Sequence, residues 1–183
     1  MQKKPRLMEK YEKEAAPQLM ASFGLKNRMA VPKLVKVVLN VGLKQGIKDP
    51  KFVDHAEKIL SKISGQKPVK TLAKKSISNF KIRQGMVVGM MVTLRGRRMY
   101  DFVDKLVNVT LPRVRDFRGL SPKTMDHHGN MTTGFKEFLA FPEVKAEDTD
   151  YIHGLEITVV TTAKSKDKGL ALLRAVGFPI NEK

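Results

Sequence analysis

Two stretches of this 183-residue chain carry side chains suited to chemistry. The first is DHHGN, Asp126 to Asn130, where a carboxylate beside two imidazoles could act as acid, base or metal ligands in an RNA-processing enzyme. His127 and His128 are adjacent, so they point apart on a strand and do not share a helix face, and His55 and His153 lie far away in sequence. That makes a poor metal pair, and with Gly129 beside it the stretch reads better as a turn in a polar loop. The chain has no phosphate-binding Gly-x-x-x-x-Gly-Lys-Ser/Thr loop, no dinucleotide glycine motif after a strand and no His-Glu-x-x-His. It has no cysteine, which removes disulfides, thiolate metal sites and cysteine nucleophiles. No catalytic role and no cofactor or metal is expected.

The second stretch is SGQKPVKTLAKKSISNFKIRQ, Ser64 to Gln84, with six Lys or Arg, no acid, one aromatic and no hydrophobic period. It sits in a chain of 35 Lys and Arg against 18 Asp and Glu, a balance that calls for a polyanionic partner. The charge is concentrated. Residues 58–100 hold 11 basic side chains and no acid, whereas residues 101–183 hold 12 of each. A membrane-surface helix would set bulky apolar residues opposite its cations, but Val69, Leu72, Ile77, Phe80 and Ile82 share no helical stripe. RNA suits the side chains better: phosphates for Lys70, Lys74, Lys75, Lys81 and Arg83, ribose hydroxyls for Ser76, Ser78 and Asn79, and an exposed base or ribose for Phe80. Nothing matches a helix-turn-helix or an RNP-type aromatic strand, so the expectation is recognition of folded RNA by shape.

Positioning these groups falls to alternating elements. Leu7, Tyr11, Ala15, Leu19 and Phe23 predict a helix from Pro5 to Gly24, with Pro17 a possible kink. The β-branched run Val31–Leu43 predicts a strand. Asp49 caps the next helix, Pro50 takes its first position, and Phe52, Val53, Ala56, Ile59, Leu60 and Ile63 form its apolar face before Gly65. Strands follow at Val69–Leu72 and Met86–Gly96, then a helix from Arg97 that Pro112 should stop, an irregular stretch to Gly134, strands at Phe135–Phe141 and Leu155–Thr162, and a helix at Asp167–Val176 closed by Gly177. This order predicts an α+β fold: one domain with an antiparallel or mixed sheet, helices packed on one face, the other face open for RNA, and extended loops around 73–85 and 112–134. Without an apolar membrane-spanning run or a signal-like start, a cytoplasmic protein is expected.

Strand parity gives the open face its content. Lys36, Asn40 and Gly42 alternate with Val37, Leu39 and Val41, while Thr93 and Arg95 share the parity of Gly89. If the two strands are neighbours, Asn40 and Thr93 lie on one polar, cationic surface; parity alone leaves open that Asn40 and Gly42 merely end a strand.

LNVGL at 39–43, ISGQKP at 63–68, KKSISNFKIRQG at 74–85, VTLRGRRMYDF at 92–102, LPRVRDFRGL at 111–120 and FPE at 141–143 resemble, in order and spacing, the bacterial large-subunit ribosomal protein "L five" family. The resemblance implies a protein of the central protuberance that binds 5S ribosomal RNA on the open face of a sheet. It places Asn40, Gln66 and Thr93 in a hydrogen-bonding set to that RNA, with Lys67 delivered to the edge beside Gln66. It further implies that the loop holding Lys74, Lys75, Ser76, Ser78, Asn79, Phe80, Lys81 and Arg83 reaches peptidyl-site (P-site) tRNA. The region after Arg118 would face the small-subunit head protein "S thirteen", among neighbouring 5S-associated ribosomal proteins. The chain before Tyr11 and positions 144–153 depart from the family pattern.

Overall fold

The computed structural model describes residues 4–44, 49–144 and 151–181. Its elements are a helix α1 (Arg6–Lys10, Tyr11–Ala15 and Ala16–Phe23 in succession), β1 (Leu34–Gly42), α2 (Pro50–Ser64), β2 (Val69–Leu72), β3 (Val87–Leu94), a helix α3 (Gly96–Lys105, Leu106–Thr110 and Leu111–Arg113 in succession), β4 (Met131–Phe135), β5 (Leu155–Thr161) and α4 (Lys166–Val176). The strands form one open antiparallel sheet in the order β2-β3-β1-β5-β4, giving the expected α+β fold with four packed helices. By contact density the chain divides into two compact units.

The first unit comprises residues up to Val37, Leu94–Thr133 and those from Thr158 onward. Its core is aliphatic and aromatic: Leu7, Leu19, Met99, Phe102, Leu106, Leu172 and Leu173 are all buried. Each such side chain contributes about 1.5–3 kcal/mol relative to exposure. Arg6 grips Asp104 with a two-pronged ion pair, Nη2 to Oδ1 at 2.8 Å and Nε to Oδ2 at 3.2 Å.

Both long helices of this unit contain a proline, and both accommodate it in the same way. A wide π-helical turn runs over Tyr11–Ala15 before Pro17 and over Leu106–Thr110 before Pro112. A proline offers no N–H to the carbonyl four residues back and its ring crowds that carbonyl; a π turn opens the space. Pro112 therefore does not stop its helix as expected, because the helix passes it and ends at Arg113.

The second unit comprises Val38–Thr93 and Gly134–Ile157. Its helix α2 is signalled at both ends as read from sequence: the Asp49 carboxylate accepts from Lys51 N–H at 2.9 Å, and Gly65 closes it at φ +65°. Phe52, Ala56, Ile59, Leu60 and Ile63 are buried. The strand expected at Phe135–Phe141 is displaced to Met131–Phe135, and a short 3₁₀ turn occupies Phe138–Ala140. Phe135, Phe138 and Phe141 recur every three residues, a spacing that suits a tight turn and not a strand's two-residue alternation. All three are buried. His153, far from His55 in sequence, joins it in the same aromatic cluster, 4.5 Å from the Phe138 ring, while His55 lies 6.3 Å from that ring. Burial pushes the His153 imidazole below its ordinary pKa; its bond to the Gly154 carbonyl opposes the shift and nearby His55 adds to it.

Candidate nucleic-acid interface

The Asp126–Asn130 stretch is a self-contained turn. Asp126 Oδ1 accepts from the backbone N–H of His128 (2.9 Å) and of Asn130 (2.8 Å), and Oδ2 accepts from Asn130 Nδ2 (2.8 Å). Asn130 Oδ1 and the Gly129 carbonyl then take the Thr161 N–H (3.0 Å) and hydroxyl (2.8 Å), fastening the turn to β5. Burial pushes the Asp126 carboxyl up, but the bonds from the Asn130 side chain, the Asn130 backbone and the His128 backbone outweigh it and hold the group below the usual carboxylate range. Three of the carboxylate's roughly four lone-pair sites are spent on the fold, with His127 and His128 exposed beside it. No group of three or more His, Asp or Glu side chains able to hold a metal occurs among the described residues.

The irregular stretch expected over 112–134 is likewise tied down. Leu120 N–H donates to the Pro179 carbonyl (2.8 Å), Asn181 N–H donates back to Leu120 (2.9 Å), and a short 3₁₀ turn covers Pro122–Thr124.

In the second unit, β2 and β3 are the arms of a hairpin paired Val69↔Met91, Lys70↔Met90 and Thr71↔Gly89. The basic loop is its tip, and it is folded. Ala73 and Met86 are joined (2.8 Å), Gly85 N–H donates to the Ala73 carbonyl (3.0 Å), and Ile77 and Ile82 exchange two backbone bonds (2.8 and 3.1 Å). A 3₁₀ turn over Ser78–Phe80 ends on Lys81 in the left-handed region, φ +55°. Because the backbone holds the tip, its side chains are left outside: Lys74, Lys75, Ser76, Ser78, Asn79, Phe80, Lys81 and Arg83 are all exposed, Phe80 by 66%. Ser76 is partly committed, since its hydroxyl oxygen accepts from Gln84 N–H at 2.9 Å. Lys70 is drawn the other way, onto α2, where Glu57 at 2.9 Å pairs with it and raises its pKa.

The uncovered face of this unit's strands follows the parity reading. Leu39 and Val41 are buried while Asn40 and Gly42 are exposed; Met90 and Val92 are buried while Met91 is exposed and Thr93 half-buried. Gly89 is needed for close approach: a Cβ there would stand 2.8 Å from Thr71 Oγ1 and 3.0 Å from the Val41 carbonyl. Gln66, delivered by the left-handed turn after α2, reaches the Thr93 carbonyl with Nε2 at 3.4 Å. Asn40 Nδ2 donates to Glu156 Oε2 on the neighbouring strand at 3.2 Å, a carboxylate that the sequence reading did not single out.

Charge is unevenly spread along the face. The strand residues that this unit presents there, Val38, Asn40, Gly42, Val69, Thr71, Gly89, Met91, Thr93 and Glu156, include no Lys or Arg. They make a neutral, partly apolar surface with one acid, because alternation sends Lys70 to the helix side. Lys67 is exposed beside α2, bordering a groove with Asp54, Glu57 and Ser61. Lys36, half-buried, and Arg95, exposed, belong to the other unit.

Family models match almost all of the chain that carries these groups. Residues 27–83 match ribosomal protein L5, and residues 87–180 match the ribosomal L5P family C-terminus. The chain belongs to the ribosomal protein L5 family. Among its relatives, the large ribosomal subunit protein uL5 of Carboxydothermus hydrogenoformans is 51% identical over 177 residues, covering 97% of this chain and 99% of that protein. The large ribosomal subunit protein uL5 of Caldanaerobacter subterraneus subsp. tengcongensis is 55% identical over 174 residues, 95% of this chain and 97% of the relative. The L5 family consists of ribosomal proteins with a structural role, which accords with an Asp126 carboxylate occupied by its own turn. Among the described residues no helix is long and apolar enough to cross a membrane.

Proposed function

We propose that this large-subunit ribosomal protein holds 5S rRNA on the uncovered sheet face and reaches P-site tRNA with the hairpin tip, in the central protuberance. The observation that carries the reading is the separation of two kinds of surface within one unit. Within it the sheet face presents the neutral hydrogen-bonding groups Asn40 and Thr93, with Gln66 at its edge, whereas the tip presents Lys74, Lys75, Lys81 and Arg83 with Phe80. A neutral polar face reads RNA shape through ribose hydroxyls and base edges; a cationic tip seeks phosphates, and its exposed aromatic stacks on a base or ribose. Ser76, Ser78 and Asn79 complete the tRNA contact. Lys67, with Lys36 and Arg95, supplies phosphate contacts at the margins of the 5S interface. The region after Arg118 bridges to the head protein "S thirteen" of the small subunit, beside other 5S-associated proteins.

Filter binding with two RNAs separates the roles. Asn40→Ala or Thr93→Ala weakens 5S binding by on the order of 1–3 kcal/mol with little change in salt slope. Replacing Lys74, Lys75 and Arg83 together spares isolated 5S RNA and weakens tRNA positioning. The opposite pattern, 5S binding lost with the tip and untouched by Asn40→Ala and Thr93→Ala, rejects the division.

A further inference from the structure

A carboxylate on a surface meant for RNA is unexpected in a chain of net charge +17. Glu156 is exposed, and among the described residues it has no Lys or Arg within ion-pair distance; its one hydrogen-bond partner there is Asn40. An anion left unneutralised beside a polyanion repels it, so its presence calls for a compensating use.

The hydrogen bond supplies one. An ionised carboxylate only accepts, so the amide of Asn40 has to turn its NH₂ toward Glu156 Oε2. That orientation aims Asn40 Oδ1 elsewhere, and Oδ1 has no partner among the described residues. The second carboxylate oxygen, Oε1, is also without one. Two acceptors, the Asn40 carbonyl and the second Glu156 oxygen, therefore stand on exposed positions of neighbouring strands, with no donor bonded to them among the described residues. Acceptors do not bind phosphate. They bind neutral donors, which RNA offers as base N–H groups, the amines of guanine, adenine and cytosine among them, and as the ribose 2′-hydroxyl.

We infer that Glu156 is a specificity-determining residue that fixes the orientation of Asn40, and that together they form an acceptor pair reading a donor group of the bound RNA. The inference rests on the proposed 5S contact and adds what that contact selects. Glu156 discriminates twice: it fixes which end of the Asn40 amide is offered, and it repels a phosphate that would otherwise slide onto the neutral face.

The test is Glu156→Gln, which keeps shape and removes charge, measured by fluorescence anisotropy on 5S RNA over a range of salt. Simple charge accounting expects tighter binding once a negative charge leaves the interface. The acceptor-pair reading expects the reverse, a loss of about tenfold at unchanged salt slope, the size of one hydrogen bond to a charged group. Combined with Asn40→Ala, the loss is smaller than the product of the single losses, because the two residues act as one. As an exposed strand position, Glu156→Gln keeps the wild-type melting temperature, which separates reading from folding. Two sets of substituted RNA identify the donor: the effect of Glu156→Gln disappears on RNA whose contacted base has lost its donor, inosine or 1-methylguanosine in place of guanosine among them, if a base is read, and on 2′-deoxy RNA at the contacted position if the hydroxyl is read. Unchanged or tighter binding by Glu156→Gln overturns the inference, as does an effect that survives on every substituted RNA; with wild type bound and Asn40→Ala weakened, the 5S reading still stands. A wild-type protein that leaves 5S RNA unbound overturns both.

Discussion

The Asp126–Asn130 turn and the Ala73–Met86 hairpin tip are both polar, glycine-containing and without hydrophobic period, yet they spend their side chains in opposite ways. In the turn, side chains do the holding: one carboxylate accepts three hydrogen bonds, and Asn130 and Thr161 relay the connection to β5. In the tip, the backbone does most of the holding through the Ala73–Met86 and Ile77–Ile82 bonds, and its cations and Phe80 project outward. Residue types that look reactive are thus structural in the first case, whereas in the second the side chains are left exposed. What decides is whether a group's donors and acceptors are already taken.

The comparison breaks most sharply at Gly129. Its φ of +82° disfavours any side chain, and a Cβ would meet the Ser165 carbonyl at 2.7 Å and the Ala163 Cβ at 2.8 Å, with Gly169 of α4 directly behind at 3.2 Å. Gly129→Ala should cost roughly 2–4 kcal/mol, combining left-handed strain with overpacking, and denaturant titration would register it as a lowered midpoint at constant slope. A mild effect would mean that the turn is no more fixed than an ordinary loop.

The next test is of the carboxylate itself. Asp126→Asn removes the charged acceptor and should lower stability by about 1 kcal/mol at neutral pH, a modest figure because the site is exposed. Since the folded carboxyl titrates below the unfolded one, its contribution is fully present above the unfolded value, near pH 3.9, and is lost as pH falls through the folded value. The wild-type advantage in melting temperature should therefore be flat from neutral pH down to about pH 5 and shrink below it. An advantage that grew toward acid would reverse the assigned sign.

Local signals were legible in the sequence and long-range ones were not. The ends of α2 could be read because Asp49, Pro50 and Gly65 act within one turn of the backbone they cap. The open face could be read in part, since alternation alone puts Asn40 and Thr93 on one side. The π turns before Pro17 and Pro112 escape because proline's local signal is a kink or a stop, whereas a packed helix can widen around it. The 3₁₀ turn at Phe138 lies in an apolar run that only its spacing of three sets apart from a strand. Glu156 escaped for a deeper reason: its place beside Asn40 comes from strand order, β5 next to β1, which no local pattern announces. The same holds for the tip, whose closure by Ile77 and Ile82 depends on cross-strand backbone bonds.

The smallest expected effect on stability is also the one that tells most about the tip. Replacing Lys74, Lys75 and Arg83 with Gln should change the unfolding free energy by no more than about 0.5 kcal/mol in total, because exposed side chains without a partner among the described residues contribute little to a fold that the backbone closes. The RNA response should be far from neutral. If each cation meets a phosphate, the slope of log affinity against log salt on tRNA falls by about 2, at roughly 0.7 per contact. Phe80→Ala, made alongside, should weaken binding by about 1–3 kcal/mol while leaving that slope unchanged, as stacking does. Should the triple substitution instead unfold the protein, or Phe80→Ala alter the slope as much as the cations do, the tip would be an element of the fold like the Asp126 turn, and the contrast between the two loops would dissolve.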